Sequence, residues 1–336
     1  MENVQDRLAR AAAGTRQHGK IPVGFYASGA EIALPYILVK GAQRGPCLWV
    51  NGQVHGDELN GVMAAIDFAN GLRPETMSGS VVVTPTANPM ALDSRRKRTP
   101  QDDQDIDQTF PGNAYGFLSD RASHALFEQI HPVANCLVSL HTMNPLFQAK
   151  PYAVYKVRQG GKVTEDHLLK CTSFFQPSVS CRMDVGGAGE LPGNIAGAID
   201  YQCLLKGIPA FMIELGKGSY IEPENVALAV NGLTRLAAFL GILPGDAPPF
   251  SEVRRVTRRS WVNCGAGGLF RSEYRGGDTV KAGTAIGIVM DLTGREQETV
   301  VLDTDCIIIG VRRDPVVHTG DRVAFVAKEW SGYTVA

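Results

Sequence analysis

Residues 47–61 read CLWVNGQVHGDELNG: an apolar run, a polar loop and the start of a helical pattern. The run at residues 47–50 predicts a buried strand, because short apolar runs bounded by turn residues are typical of strands covered on both faces. From residue 60 to residue 72 the apolar side chains recur at helical spacing. A strand joined to a helix by a short loop is the repeating unit of a parallel α/β sheet.

The same alternation continues along the chain. Residues 21–50 predict short strands, and further buried strands are predicted at residues 81–83, 136–140 and 210–215. Ser119 predicts the N-cap of a helix, and a second helix is predicted from residue 224 to residue 240. Residues 87–118, rich in Pro, Asp, Arg and Gly, predict a long irregular loop, and such loops are more often functional than idle.

The composition changes after residue 240. Residues 241–250 read GILPGDAPPF, a linker rich in Pro and Gly, and no helical period follows. Short strands with frequent Gly are predicted at residues 279–280, 285–290, 298–302, 307–311 and 322–327. We therefore expect an α/β domain over residues 1–245 and a small all-β barrel or sandwich over residues 251–336.

Composition and charge exclude several classes of partner. The chain has 336 residues, 44% hydrophobic residues and a net charge of −1, so no basic surface for nucleic acid or for an anionic membrane is expected. No apolar run approaches the roughly 20 residues that cross a bilayer. The N-terminus lacks the apolar stretch of a secretion signal. Seven scattered cysteines fit reduced thiols, and the expected compartment is the cytoplasm.

Four polar residues near the ends of the predicted strands are candidates for metal binding and catalysis. His55 and Glu58 follow the first strand at a spacing that lets both point at one ion, and imidazole and carboxylate are good zinc ligands. His141 directly follows the strand at residues 136–140, and Glu214 closes a later strand. Open α/β sheets place their ligands at the carboxyl ends of the strands, so the four side chains are expected together.

This set is sufficient for a hydrolytic mechanism. Zinc lowers the pKa of its bound water to about 7, and Glu214 can take the proton of that water and pass it to the leaving amine. A cation from the basic run at residues 95–98 can polarise the scissile carbonyl. Arg98 is the preferred candidate, with Arg95, Arg96 and Lys97 as close competitors.

With these motifs in the same order, the chain resembles the succinylglutamate desuccinylase/aspartoacylase family of the zinc carboxypeptidase-like superfamily. The resemblance covers most of residues 21–328. The matching stretches are residues 41–61, Ala87-Asn88-Pro89, Arg98-Thr99-Pro100, Thr109-Phe110-Pro111-Gly112, the strand before His141, residues 207–216, residues 277–283 and residues 315–321.

The resemblance implies a zinc carboxypeptidase-like mixed sheet flanked by helices, with an appended β domain. It implies a zinc-dependent hydrolase that cleaves the amide bond of a small N-acyl amino acid, with one Zn²⁺ per chain. His55, Glu58 and His141 match the zinc ligands of the family, Glu214 matches its general base, and Arg98 matches its carbonyl-polarising arginine.

Two positions depart from the family pattern. Where the family has Asp-Leu-Asn-Arg, this chain has Asp105-Ile106-Asp107-Gln108. The Asn-Arg pair holds a substrate carboxylate in the family, so Asp107 and Gln108 predict a substrate that is neutral or cationic at this subsite. Ser139 stands where an acid often precedes the third ligand, and a change of that kind can alter metal affinity.

Two alternatives stay open for the function. A metallocarboxypeptidase needs a cationic site for the peptide carboxylate, and the missing Asn-Arg pair argues against it. A non-catalytic metal- or ligand-binding protein on the same fold is the second alternative, because fold does not determine function. The Gly-rich stretch at residues 186–197 is expected to form a flap near the site, with Glu190 exposed. The β domain is expected either to cap the site or to form the interface of a homo-oligomer.

Overall fold

The apolar runs assemble into a large mixed sheet covered by helices. The computed structural model describes residues 3–185 and 195–335. The α-helices of these ranges are α1 (Val4–Arg10), α2 (Leu59–Gly71), α3 (Pro89–Ser94), α4 (Leu118–Ile130), α5 (Glu165–Ser173), α6 (Ile199–Leu205) and α7 (Pro223–Phe239).

The strands of the same ranges follow in chain order. They are β1 (Thr15–Phe25), β2 (Glu31–Lys40), β3 (Gln43–Asn51), β4 (Ser78–Thr84), β5 (Cys136–Met143), β6 (Phe147–Ala149), β7 (Tyr152–Val157), β8 (Ser180–Asp184), β9 (Ala210–Lys217), β10 (Glu252–Asn263), β11 (Gly268–Arg271), β12 (Thr279–Val280), β13 (Ala285–Met290), β14 (Glu296–Val301), β15 (Cys306–Arg312), β16 (Val316–Val317) and β17 (Arg322–Thr334).

The larger sheet has its parallel strands near the centre. Its order is β1-β2-β4-β3-β5-β9-β7-β8-β10-β17-β15-β12, and β6 pairs with β15 beside this path. Strand β3 runs parallel to β4 and β5, and β5 runs parallel to β9. Strand β7 lies antiparallel to β9, and β1 lies antiparallel to β2. The sheet is therefore mixed, which confirms the α/β fold expected from the sequence.

Side chains of β3 alternate between two hydrophobic cores. Leu48 and Val50 pack on the face that is covered by α2, α5 and α7. Cys47 and Trp49 pack on the opposite face, which is covered by α4 and α6. Since helices cover both faces, every residue of this run is buried. That double burial is the reason for a continuous apolar run rather than an alternating one.

Helix α2 occupies nearly the range that the sequence predicts, whereas the start of α4 differs. Helix α4 begins at Leu118, with Phe117 at the N-cap position, so the prediction of Ser119 as the N-cap is wrong. The Ser119 hydroxyl instead lies 2.7 Å from Thr99 Oγ1 and 2.9 Å from Asp102 Oδ1. It therefore ties the helix to the segment that precedes it.

The long segment before α4 is only partly irregular. It contains α3, which begins after the N-cap residue Asn88, whose side chain accepts a hydrogen bond from the Ala91 amide. It also contains a turn of 3₁₀-helix at Ile106–Gln108, where the Asp105 side chain accepts from the Asp107 amide. These short elements hold the segment against the main sheet.

After residues 241–250, the described chain has strands and no helix up to residue 335. Strand β10 pairs with β17, and two of its residues pair in parallel with β8, so the large sheet continues into this region. A separate four-stranded sheet has the order β14-β13-β11-β16. The division into domains at residues 1–245 and 251–336 stays a prediction.

Three further expectations concern the Gly-rich stretch, membrane spans and the cysteines. The expected flap at residues 186–197, with Glu190, lies largely outside the described residues, which resume at residue 195. Among the helices that the structure describes, none has the length and apolar character required to span a membrane. All seven cysteines lie within the described ranges, and each is buried and outside any disulfide.

Candidate active site

Three neighbouring parallel strands deliver polar side chains to one edge of the sheet. Strand β3 ends at Asn51 and leads into the loop that carries His55 and Glu58. His141 lies in β5 and Glu214 lies in β9, where the two are cross-strand partners in register. Strand β9 thus continues through Glu214 instead of ending before it. All four residues line one cavity.

Gly56 determines the path of the loop after β3. Its amide donates a hydrogen bond of 2.9 Å to the carbonyl of Arg96. A Cβ atom at this position would lie 1.8 Å from the carbonyl oxygen of Ala91, which is far inside van der Waals contact. Only glycine allows so close an approach. The loop is therefore packed against the end of α3, and this contact fixes the position of the adjacent His55.

His55, Glu58 and His141 form one buried group. Nδ1 of His55 lies 2.7 Å from Oε1 of Glu58, and Nδ1 of His141 lies 3.1 Å from Oε2 of the same carboxylate. One ligand atom from each residue can be chosen so that all lie within 4.8 Å of one another. Two imidazoles and one carboxylate at this spacing are a donor set that fits a catalytic zinc ion.

The second nitrogen of each imidazole also has a partner. Nε2 of His55 lies 3.0 Å from Oδ1 of Asp105, and Nε2 of His141 lies 3.0 Å from the hydroxyl oxygen of Ser139. Such contacts orient metal-ligating histidines and fix which nitrogen faces the ion. The nitrogen that faces Glu58 is Nδ1 in both residues.

The charges of the group are strongly coupled. Burial by itself lowers the pKa of His55 and of His141, but the nearby carboxylates together outweigh it, Glu58 with Asp105 for His55 and Glu58 with Asp107 and Glu214 for His141, so both pKa values lie above the ordinary value. Burial raises the pKa of Glu58, and the two imidazoles lower it further than burial raises it, so its net pKa lies well below the ordinary value. Glu58 is therefore an anion at neutral pH.

Glu214 differs from Glu58 in its surroundings. Burial raises the pKa of Glu214 to about 7, with a smaller upward contribution from Glu58 and a downward one from His141. Its Oε2 atom is buried and has no hydrogen-bond partner among the described residues. A carboxyl group whose pKa lies near neutrality can both accept and release a proton.

The site opens into a cavity of about 590 Å³. Its floor carries the residues described above, and one wall is formed by Tyr152 and Lys156 of β7. Strands from the C-terminal part of the chain form another wall, with Arg259 and Trp261 on β10 and Phe325 on β17. A cavity of this size is typical of sites for small molecules.

The structure does not bring Arg98 to this cavity. Lys97 and Arg98 are neighbours with similarly exposed side chains, 56% and 55%, but they contact different carboxylates. The Arg98 side chain is 55% exposed, and its Nη1 donates to the carbonyl of Asp103 at 2.9 Å. Lys97 lines the cavity instead, with its Nζ 3.3 Å from Oδ2 of Asp105.

Asp107 and Gln108 both line the cavity. The Asp107 Oδ1 atom is buried and has no hydrogen-bond partner within the described part of the chain. Burial raises the Asp107 pKa, and His141 and Lys156 oppose this effect. The Gln108 amide donates to Oδ2 of Asp105 at 3.1 Å, and so it supports the carboxylate that orients His55.

The similarity to known proteins agrees with this arrangement. A family model described as the succinylglutamate desuccinylase/aspartoacylase catalytic domain matches residues 44–240, more than half of the chain. The chain belongs to this family. The matched range contains all the site residues predicted from the sequence, and the resemblance to the desuccinylase/aspartoacylase family is confirmed.

Relatives of known name match nearly the whole length. The N-alpha-acetyl-L-2,4-diaminobutyric acid deacetylase of Halomonas elongata is 23% identical over 325 residues, which cover 93% of this chain and 91% of that protein. A succinylglutamate desuccinylase/aspartoacylase structure from Rhodobacter sphaeroides is 23% identical with a TM-score of 0.80, covering 95% of this chain and 96% of the other. The product-bound structure of the ectoine utilization protein EutE (DoeB) from Ruegeria pomeroyi is 20% identical with a TM-score of 0.80. The match covers 95% of this chain and 98% of the other. The two structures show the same fold.

Three side chains of this chain differ from the pattern that the family resemblance implies. Ser139 contacts His141 at the position where an acid is common, so a neutral hydroxyl now occupies the orienting position. Asp107 faces the cavity at the position of the family's asparagine, and Gln108 replaces its arginine. The cation of the pair is therefore absent from this part of the wall.

Several residues of the site are not identified by sequence reasoning. Asp105 matches the first residue of the family's Asp-Leu-Asn-Arg motif, and this match could have identified it as a site residue that contacts His55. Lys156 is a lone cation in the apolar strand β7, where a buried charge requires a partner. Arg259 and Tyr152 carry no local sequence signal, because only the packing of strands brings them to the cavity.

Proposed function

We propose that this protein is a zinc-dependent amidohydrolase that removes the acyl group from a small N-acyl amino acid. The observation that carries the proposal is the buried group of His55, Glu58 and His141 beside Glu214 in one cavity. Membership of a family named for two deacylases supports the same reaction class.

One zinc ion per chain would be held by Nδ1 of His55, the carboxylate of Glu58 and Nδ1 of His141. Two imidazoles and a carboxylate are a suitable donor set for zinc. Asp105 and Ser139 contact the Nε2 atoms of His55 and His141, so the Nδ1 atoms are left to bind the ion. When bound, zinc supplies Lewis-acid polarisation and lowers the pKa of a water molecule in contact with it.

Glu214 is the proposed general base. It accepts the proton of the attacking water while the water oxygen bonds to the acyl carbon. It then delivers that proton to the nitrogen as the C–N bond breaks, so the products are a carboxylic acid and a free amine. A pKa of about 7, raised by burial, suits both halves of this transfer.

Lys97 is the proposed cation for the acyl oxygen, in place of Arg98. Burial lowers the Lys97 pKa, but Asp105 and Glu58 raise it more, so its pKa stays above the ordinary value and the ammonium remains charged. Its position in the cavity wall allows Lys97 to donate a hydrogen bond to the carbonyl oxygen and to stabilise the negative charge that develops there.

Asp107 is the proposed partner of a second amine on the substrate. A buried carboxylate oxygen without a hydrogen-bond partner among the described residues favours a cationic ligand group. The Halomonas relative is named for an acetylated diamino acid, whose remaining amine is a cation of this kind. The proposed substrate class is therefore an N-acyl diamino acid, and Gln108 is proposed to line the same subsite.

Metal content and product release test the proposal together. The protein is purified without added metal or a histidine tag, and its metals are measured by elemental analysis beside those of His141→Ala. We expect one zinc per chain, lost in the variant, as a three-ligand catalytic site requires. Release of free amine is then measured across N-acetyl derivatives of diaminobutyrate, ornithine, lysine, 2-aminobutyrate and aspartate.

His124 provides a matched control, because it lies on α4 outside the cavity-lining residues. His124→Ala should retain both zinc and activity. A protein that takes up no zinc, or that binds zinc and releases amine from none of these compounds, would contradict the proposal and favour a binding role.

A further inference from the structure

The C-terminal strand β10 contributes a buried cation to the cavity. Arg259 is only 4% exposed, although it is an arginine, and it lines the same cavity as Glu214. Trp261 lies two residues later on β10 and also lines the cavity. Residues two apart on a strand share one face, so this face of β10 is turned toward the site.

The position of Arg259 is fixed by neighbouring aromatic rings. Its guanidinium carbon lies 5.5 Å from the centre of the Phe325 ring. The Phe325 ring in turn stacks on Trp261, with ring centres 4.5 Å apart. A planar cation held over an aromatic face loses little further freedom when it binds a ligand.

Tyr152 connects this cation with the predicted general base. Strands β7 and β9 pair Tyr152 directly with Glu214, so both side chains lie on the cavity face of the sheet. Burial and then Glu214 raise the pKa of the Tyr152 hydroxyl, whereas Arg259 lowers it. Both charged groups are therefore within electrostatic reach of one phenol ring.

An N-acyl amino acid brings a carboxylate into the cavity, and that group requires a cation. The family resemblance implies an arginine at the last position of the 3₁₀-turn, but this chain has Gln108 there. Lys97 and Lys156 line the cavity with carboxylates already 3.3 Å and 2.6 Å away. Arg312 also lines it and lies 3.4 Å from Asp321, and the cavity-lining Arg322 is exposed, with its guanidinium over the Trp261 ring. Arg259 has protein contacts too, yet its five N–H donors allow it to keep them and still present two to a carboxylate.

We propose that Arg259 binds the carboxylate of the substrate, so that the C-terminal β region forms part of the active site. This inference rests on the proposed function and deepens it. The substrate then carries a carboxylate for Arg259 and an amine for Asp107, in addition to the scissile acyl group. The β region acts as a wall of the substrate pocket.

The test compares a substrate with its uncharged analogue. kcat and KM are measured for Nα-acetyl-L-2,4-diaminobutyrate and for its carboxamide, with wild type, R259M, R259K and the control R258M. Arg258 precedes Arg259 but is exposed, with Nη1 3.1 Å from Oε1 of Glu329. Calorimetry with free L-2,4-diaminobutyrate measures carboxylate binding in the same variants without any turnover.

We expect wild type to prefer the acid over the carboxamide. In R259M this preference falls by about 10- to 100-fold, the loss expected for hydrogen bonds to a charged group, and it appears mainly in KM. R259K keeps the charge without the planar fork, so its preference lies between the two. R258M retains the wild-type preference. The carboxamide is measured with the same protein preparation, so a misfolded variant loses activity equally on both compounds. If R259M is misfolded in this way, the preference of R259K for the acid tests the proposal instead.

The two proposals fail in different ways. If wild type hydrolyses the panel while R259M and R259K keep the preference for the acid, the Arg259 assignment is wrong and the proposed function stands. If wild type hydrolyses nothing yet binds free diaminobutyrate, and R259M weakens that binding, the Arg259 assignment stands and hydrolysis is wrong. Absence of both hydrolysis and binding overturns both.

Discussion

The hydroxyl oxygen of Ser139 lies 3.0 Å from Nε2 of His141, so strand β5 supplies both an imidazole and the group that orients it. The two residues are separated by Leu140, and their side chains therefore lie on the same face of the strand. His55 is oriented by Asp105, an anion, at the same distance. The two imidazoles of the predicted metal site are thus supported unequally.

Removal of the Ser139 hydroxyl is predicted to weaken zinc binding. Ser139→Ala should raise the zinc dissociation constant by about 10- to 100-fold, because such supporting contacts orient the ligand and raise its basicity. Ser139→Asp should restore or exceed wild-type affinity. Competition with a chromophoric chelator measures both. Ser180→Ala is the control, since Ser180 is also buried in a strand but lacks a partner for its hydroxyl among the described residues.

Glu214→Gln is predicted to separate metal binding from turnover. The variant should retain about one zinc per chain, because the amide preserves the shape of a side chain that is not one of the three ligands. kcat should fall by about 10²- to 10⁴-fold, the usual contribution of a general base. Glu224→Gln, on the exposed start of α7, should keep wild-type kcat. Retention of most activity in Glu214→Gln would remove Glu214 from the mechanism.

The neighbouring cations Lys97 and Arg98 are predicted to differ in their effect on rate. Lys97→Met should lower kcat by about 100-fold or more, because a cavity-lining donor to the developing oxyanion is lost. Arg98→Met should lower kcat much less, since Arg98 lies outside the cavity lining and donates to Asp103. The two variants are compared at saturating substrate with equal metal content. A larger loss in Arg98→Met would return the role to the residue that the family resemblance implies.

The sequence is most informative where helices cover both faces of a strand. The run at residues 47–50 is apolar because neither face of β3 meets water, and the same holds for β5. Strand β10 was missed because Arg254, Arg255, Arg258 and Arg259 interrupt its apolar pattern. Arg255, Arg258 and Arg259 contact carboxylates or ring faces from distant parts of the chain, which no local pattern reveals, and Arg254 is exposed.

Local motifs also predict ligand types better than supporting contacts. His55 and Glu58 are three residues apart, and one short motif predicts both. Asp105 reaches His55 from 50 residues away, through a segment whose path depends on α3 and on Gly56. Lys97 lines the cavity and its neighbour Arg98 does not, and the spacing of charges along the chain does not determine which of the two reaches it.

The ion pair between Lys156 and Asp200 is predicted to be required for stability. Its Nζ atom lies 2.6 Å and 2.8 Å from the two carboxylate oxygens, and both side chains are almost fully buried. Lys156→Met should lower the free energy of unfolding by about 3–5 kcal/mol, because it leaves a buried charge without its partner. Urea denaturation monitored by circular dichroism measures the change.

The double variant Lys156→Met/Asp200→Asn provides the decisive comparison for this pair. It removes both charges, so it should be more stable than Lys156→Met alone despite carrying one further substitution. If the two substitutions simply add, the pair is not the source of the effect, and the loss in Lys156→Met reflects packing instead.

The charge of Asp107 is predicted to select for a substrate amine. Asp107→Asn should lower kcat/KM for Nα-acetyl-L-2,4-diaminobutyrate by about 10- to 100-fold, the loss expected for a hydrogen bond between charged groups. N-acetyl-2-aminobutyrate lacks the amine and should be hydrolysed with nearly the same kcat/KM by wild type and variant. Asp103→Asn is the control, because Asp103 is exposed on the same segment. Equal losses on both compounds would mean that Asp107 acts on the histidine cluster rather than on the substrate, and equal retention would mean that the second amine binds elsewhere.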